Sequence, residues 1–240
     1  MIPKIIHYCW FGKNSYPPIV RKCIASWRKF CPDYEIKLWN ESNYDIYKND
    51  YLKEAHQAKK WAFVSDYARL DIIYKEGGFY LDTDVELIRP LDELLRLDGF
   101  VASDEYGINT GVGFGAHKKH PTIKKMLDLY QHKTFLTPRG IDTTPCTVLN
   151  TKIFLEEGYK PNHAHPLYVE NIRIFPQEYF SPIKGATSEL NITPNTYAIH
   201  WSSLSWETGI TQLKAKIRIK FGLQCINKIK KIINRIKRFI

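Results

Sequence analysis

A chain of 240 residues with 44% hydrophobic and 14% aromatic residues can bury one α/β domain, or two small ones at most, and is too apolar for a disordered protein. Its formal charge of +10 is concentrated: ten basic residues lie between Lys214 and Arg238, no acid follows Glu207, and the remaining 25 basic residues balance the 25 acids, so the body is neutral and a basic surface spread over the fold is not indicated. The five cysteines, at 9, 23, 31, 146 and 225, contain no C-x-x-C pair, which argues against a zinc site or a disulfide framework and suits reduced thiols.

Taken in order, Lys4 to Phe11 reads as a buried first strand closed by Gly12. Ile19 to Phe30 is an amphipathic helix with Ile19, Cys23, Ile24 and Trp27 on one face. Tyr34 to Trp39 alternates like a strand, completing a β-α-β start. Asn40 to Ala55 is polar and irregular. Trp61, Val64, Ala68, Ile72 and Ile73 then fall at helical spacing, and Gly77-Gly78 stops that helix. Phe79 to Leu81 is short and apolar enough for a buried strand, and Asp82 and Asp84 stand at its exit.

In an open α/β sheet, ligands bind beyond the carboxyl ends of the strands. Residues i and i+2 of a strand share a face, so Asp82 and Asp84 could aim at one point, although a turn could rotate one away. Two carboxylates so close repel unless a cation lies between them, and hard oxygen ligands suit Mg²⁺ or Mn²⁺. Upstream, Asp66 and Arg69 are three apart and neighbours on the helix. Alone they read as a salt bridge at the helix edge; directly before an acid-x-acid exit they read as ligand-facing.

Downstream, Gly99 to Ser103 is another strand. The glycines of D-E-Y-G-I-N-T-G-V-G-F-G form neither G-x-G-x-x-G nor a Walker loop. Asp104 and Glu105 read as surface acids with a possible donor or acceptor contact. Thr122 to Gln131 is a helix, Ile141 to Leu149 contains T-T-P-C-T-V-L, and Pro161 to Pro182 is rich in aromatics and prolines and suits an acceptor cleft or ordinary loop packing. Tyr197 to Ile199 suits a strand, followed by His200. His7 reads as a hydrogen-bonded core histidine.

The residues Ser65, Asp66, Arg69, Gly77, Gly78, Tyr80, Leu81, Asp82 and Asp84, read as S-D-x-x-R followed by G-G-x-Y-L-D-x-D, resemble the DXD sugar transferases of glycosyltransferase family 32. These include initiating mannosyltransferases and capsular or surface-polysaccharide transferases, with the catalytic domain of the clostridial glucosylating toxins as a more distant relative. The resemblance implies a GT-A-type fold: a mixed, mostly parallel central sheet with flanking helices. It implies a retaining transferase that moves a sugar from a nucleotide diphosphate sugar, UDP-linked rather than GDP-linked, to a glycan hydroxyl, with Mn²⁺ or Mg²⁺ as cofactor. The residues it points to are Asp84 and Asp82 for the metal, with His200 completing the shell; Asp66, Arg69, Tyr80 and Asn109 for the donor; Trp10 in W-x-G as a base-stacking ring or a core residue; and Ser205 and Trp206 as a loose match to a closing S-x-W segment. Thr144 stands where the family has glycine.

Two other classes compete. The D-x-D exit also resembles haloacid-dehalogenase-like phosphatases, whose first Asp is a nucleophile, but no late acidic motif of that family lies between Gly140 and Gly209. A nucleic-acid-binding protein is suggested by the pI of 9.2 alone.

The expected division is a catalytic domain over residues 1–209 and a basic amphipathic helix over 210–240. In the latter Ile226, Ile229, Ile232, Ile233, Ile236 and Ile240 recur at three- and four-residue spacing between lysines and arginines, the pattern of a helix lying on an anionic membrane or packing on protein. No run approaches the roughly 20 apolar residues of a span, and the first residues lack a signal-peptide pattern. The expected place is the cytoplasmic face of the cell membrane, beside a lipid-linked acceptor.

Overall fold

The computed structural model describes residues 1–161, 163–184 and 189–202. Its elements run β1 (Ile5–Cys9), α1 (Pro18–Phe30), β2 (Glu35–Trp39), α2 (Asp50–Gln57), α3 (Trp61–Glu76), β3 (Gly78–Tyr80), β4 (Val85–Leu87), β5 (Gly99–Asp104), β6 (Gly107–Ile108), β7 (Phe114–Ala116), α4 (Pro121–Asp128), β8 (Leu136–Thr137), β9 (Gly140–Ile141), α5 (Cys146–Glu156), β10 (Leu167–Val169), β11 (Ile172–Phe175), β12 (Ile183–Lys184), β13 (Glu189–Leu190) and β14 (Ala198–His200).

The main sheet has the order β10-β11-β5-β7-β3-β1-β2, with β6 hydrogen-bonded to β5. β2, β1, β3, β5 and β11 run one way, while β7 and β10 run against them. This is the mixed, mostly parallel sheet that the family resemblance implies. Period-two alternation sends successive residues to opposite faces. Tyr80 and Val101 join the core under α2 to α5, while Phe79, Leu81, Phe100 and Ala102 join the core under α1.

The helix α3 departs from the single-faced pattern of its aliphatic residues, because every residue from Phe63 to Ile73 is buried. It packs on β1, β3 and β7 and is covered by α2 and α4. A helix buried all round forces its polar residues to find partners inside the protein. Asp71 does so at one end: its carboxylate takes Tyr44 Oη at 2.8 Å, Lys48 Nζ at 2.7 Å and Lys75 Nζ at 2.8 Å. Burial alone would raise the Asp71 pKa, but these three donors outweigh it and hold the group below its ordinary value. The stability it supplies is therefore present above the unfolded carboxylate range, near about pH 4, and is lost as pH falls through the lower folded pKa. Asp71→Asn is expected to cost about 3 kcal/mol, as for a broken buried ion pair, and to flatten the acid limb of a urea-melt series against pH.

Gly77 and Gly78 end α3 at φ +71° and +103°, where glycine is favoured. A Cβ on Gly78 would lie 2.8 Å from Ile5 O and 2.9 Å from His7 Nε2, so the stop also admits His7. That ring accepts from Trp39 Nε1 at 3.0 Å on Nδ1 and donates from Nε2 to Gly77 O at 2.9 Å. Burial pushes its pKa down to about 4, so it is a neutral core histidine.

Three stretches are more regular than their composition suggests. Asn40 to Ala55 leads into α2, whose Asn49 caps the helix by accepting from Leu52 N at 3.1 Å. The T-T-P-C-T-V-L stretch, to which the sequence reading assigns no element, holds the start of α5, which begins at Cys146 after Pro145 and runs to Glu156. The proline-rich stretch from Pro161 contains β10 and β11, and β11 extends the sheet in parallel beside β5. Buried Ile172 and Ile174 alternate with Arg173 there, a strand signal obscured by the flanking prolines.

Candidate functional site

The acid pair stands where β3 leaves the sheet. Asp82 N donates to Gly111 O at 3.0 Å and Val85 N to Asp82 O at 3.0 Å, so the chain turns between the two acids and gives them different neighbours. Asp82 faces α3: its Oδ1 accepts from Tyr80 Oη at 3.0 Å and pairs with Arg69 Nη2 at 3.2 Å. The same Nη2 lies 3.1 Å from Asp66 Oδ1 and 3.0 Å from Ser65 Oγ. Arg69 Nε donates to Ser65 O at 3.1 Å, and its guanidinium stands 5.1 Å from the Tyr80 ring centre.

Asp66 and Arg69 are therefore not a helix-edge pair. Arg69 is 3% exposed and Asp66 7%, and the guanidinium clamps two carboxylates, one on α3 and one beyond β3. Burial raises the Asp66 carboxyl, with Arg69 pulling the other way. Burial pushes Asp82 up to about 6, Arg69 opposes it, and Asp84 adds to it by like-charge repulsion.

Asp84 has different partners. β4 follows it and pairs antiparallel with β14, matching Val85 to His200. That register brings His200 Nε2 within 3.4 Å of Asp84 Oδ1, and Trp201 N donates to Asp84 O at 3.0 Å. Burial would lower the His200 pKa, but Asp84, Asp82 and Asp104 together raise it. His200 Nδ1 contacts Ser202 Oγ at 3.3 Å.

The third wall comes from β5 to β7. Asn109 Nδ2 donates to Asp104 Oδ2 at 2.6 Å, and Asn109 Oδ1 accepts from Gly111 N at 2.8 Å. Gly111 has no room for a side chain, since a Cβ would lie 2.3 Å from Asp82 Oδ2. Asp104, read from sequence as a surface acid, is partly buried, and that burial raises its pKa.

The structure thus brings Asp66, Arg69, Tyr80, Asp82, Asp84, Asn109 and His200 to one edge of the sheet. Trp10 leaves β1 at that same edge, half-buried, with Nε1 donating to Asn14 O at 2.7 Å and its ring edge-on to Tyr16 at 5.1 Å. Ser205, Trp206 and the tail over 210–240 lie outside the described residues. The sequence reading missed Cys146, whose Sγ is 4.0 Å from Arg69 Nη1 and whose thiol bonds Asp66. Its position at the start of α5, just after a proline, was the available signal. The reading also missed a cleft of about 740 Å³ whose wall includes Gly12, Lys13, Glu41, Tyr44, Lys59 and Trp61.

Among the described residues, no three His, Cys, Asp or Glu side chains are arranged to hold a metal ion as they stand. The donor chemistry nevertheless fits one. Asp84 offers hard oxygen, His200 offers nitrogen, and the three carboxylates whose field raises His200 form a surplus of negative charge that a cation would offset.

Comparison with known proteins finds sugar transferases. Residues 17–101 match the family described as "Glycosyltransferase sugar-binding region containing DXD motif". Inositol phosphoceramide mannosyltransferase 3 of Schizosaccharomyces pombe is 36% identical over 135 residues, 52% of this chain and 36% of that protein. Inositol phosphoceramide mannosyltransferase 1 of the same organism is 27% identical over 145 residues, 56% of this chain and 45% of that protein. The chain thus spans less than half the length of these curated relatives. The solved PaToxG glycosyltransferase has a TM-score of 0.51 at 20% identity, over 65% of this chain and 69% of that one, and shares the fold.

Proposed function

We propose that this protein, whose residues 17–101 match a DXD-containing sugar-binding region of glycosyltransferases, is a transferase that moves a sugar from a nucleoside diphosphate to a glycan hydroxyl. The observation that carries the reading is the clamp of Arg69 on Asp66 and Asp82, with the Asp84–His200 pair beside it at the carboxyl edge of the sheet. In the reaction the acceptor oxygen bonds to the anomeric carbon as the bond to the diphosphate oxygen breaks. The bonding pair leaves with the nucleoside diphosphate, and the hydroxyl proton is released to water.

Arg69 is held on several sides and cannot swing, so it keeps Asp82 and Asp66 in place for the donor's sugar and ribose hydroxyls. The cleft at Gly12 and Trp61 suits the nucleoside, with aromatic rings for the base and Lys13 and Lys59 for negative charge. Asp84, Asp82 and His200 would hold a divalent ion, with mixed oxygen and nitrogen donors favouring Mn²⁺ over Mg²⁺. When bound, it supplies Lewis-acid stabilisation of the departing diphosphate. A phosphatase reading is disfavoured because Asp82 Oδ1, the would-be nucleophile, already bonds Arg69 and Tyr80.

A thermal-shift screen of UDP- and GDP-sugars with and without Mn²⁺ tests this. Saturation by one donor at 100 times its Kd adds about 2.7 kcal/mol, a shift of several degrees, and UDP-sugars are the first choice. No shift from any nucleotide sugar in Mn²⁺ would remove the reading.

We further place the enzyme at an anionic membrane surface, serving surface-polysaccharide synthesis on a lipid-linked acceptor. The support is the isoleucine and lysine spacing between Ile226 and Ile240 and the roughly 1 kcal/mol that each basic residue gains near anionic headgroups. Sedimentation with phosphatidylserine vesicles should pull down the full chain at low salt and leave a chain truncated after Gly209 in solution; equal behaviour of the two would refute it.

A further inference from the structure

A second cleft, of about 500 Å³, has Asp104, His163, Gln177, Glu178 and Asn191 in its wall. Its chemistry differs from the cleft at Trp61. Among the described residues no lysine or arginine lines it, while two carboxylates do. Such a wall repels a phosphate and favours a neutral group that donates several hydrogen bonds. Part of the polar wall is fixed in advance. Gln177 Nε2 donates to Ile183 O at 3.1 Å, and Glu178 Oε1 accepts from Asn195 Nδ2 at 2.8 Å. His163 Nδ1 donates to His165 O at 2.7 Å, which leaves Nε2 as an acceptor. That Nε2 is buried and has no hydrogen-bond partner among the described residues.

The cleft adjoins the acid pair. Asp104 lines it and also accepts from Asn109, whose Oδ1 holds Gly111 N. Gly111 in turn abuts Asp82. The two sites therefore share the wall formed by Asp104, Asn109 and Gly111.

We propose that this cleft is the acceptor subsite, and that it takes a neutral polyhydroxylated ring, a sugar or a cyclitol, rather than a charged headgroup. The inference rests on the transferase reading above and adds where the acceptor sits and what its chemistry is. Glu178 and Asp104 accept from ring hydroxyls, His163 Nε2 accepts one more, and the amides of Gln177 and Asn191 complete the pattern. A lipid or glycan attached to the ring extends outward.

Saturation-transfer NMR on the full chain tests the assignment without needing turnover. The probes are methyl α-D-mannopyranoside, methyl α-D-glucopyranoside and myo-inositol, with myo-inositol 1-phosphate as the charged control. At least one neutral ring should bind saturably, and the pattern among the three distinguishes sugar from cyclitol. The phosphate should bind about tenfold more weakly, and Glu178→Gln and His163→Phe should each weaken neutral binding about tenfold at an unchanged melting temperature. Glu178→Gln changes charge and not shape, so it carries the test if His163→Phe lowers stability. No saturable neutral binding, equal binding of the phosphate, or unaltered affinity in both variants would overturn the proposal. Ring binding without turnover of any nucleotide sugar would instead defeat the transferase reading and leave a polyol site. Turnover with unaltered acceptor KM in the variants would defeat the cleft assignment alone.

Discussion

Replacing Asp84 by Asn is expected to lower turnover by about 10²-fold or more, the scale of losing a principal electrostatic stabiliser, while leaving the protein folded. Asp84 is 8% exposed and its carboxylate faces His200 at 3.4 Å. Asparagine keeps the shape and the backbone bond from Trp201 N but removes the charge that would hold the cation. The stability cost is small because the asparagine Oδ1 can still accept from His200 Nε2, so no buried donor is left without a partner. Initial rates in saturating Mn²⁺, set beside melting temperatures, check both parts. A variant with wild-type turnover, or a wild-type protein fully active in excess EDTA, would show that no metal-bound diphosphate is involved.

Arg69→Ala is expected to damage fold and donor use together. A salt bridge at an exposed helix edge would be worth at most about 1 kcal/mol. Arg69 instead sits 3% exposed between Asp66 and Asp82, and its removal leaves buried Asp66 and half-buried Asp82 without their common partner. The loss is about 3–5 kcal/mol, a melting temperature lower by roughly 10 °C. Arg69→Lys separates the two effects. Lysine keeps the positive charge but cannot reproduce the guanidinium fork that reaches Ser65, Asp66 and Asp82 at once. It should recover much of the stability while donor KM stays elevated. If Arg69→Ala melts with the wild type and turns over normally, the clamp has no part in the site.

The sequence made a large share of this legible because local rules govern it. The β-α-β start, α3 with its glycine stop and the strand ending at Asp82 follow from periodicity and from the backbone freedom of Gly77 and Gly78. The family resemblance concentrates in the same segment, since Asp66, Arg69, Tyr80, Asp82 and Asp84 all lie on α3, on β3 or just beyond it. Both kinds of evidence therefore read one continuous piece of chain.

What residues 1–202 owe to tertiary structure are relations across long separations. Periodicity marks one face of α3; only the covering by α2 and α4 buries the other, and that burial turns Asp66 and Arg69 from an edge pair into a clamp on Asp82. The i and i+2 spacing puts Asp82 and Asp84 together, yet the turn to Val85 sends one toward Arg69 and the other toward His200. The pairing of β4 with β14 joins residues more than a hundred positions apart, which no local pattern encodes. Cys146 reaches Asp66 only because α5 starts beside α3, and Asp104 becomes a shared wall only because β5 carries it to the same edge as Asn109 and Gly111. By itself the sequence determined the helix, the strand and the acid pair, because these depend on neighbours along the chain. Which polar groups meet was decided by the sheet order, because burial removes water as a partner and leaves each group only those that the fold brings within reach.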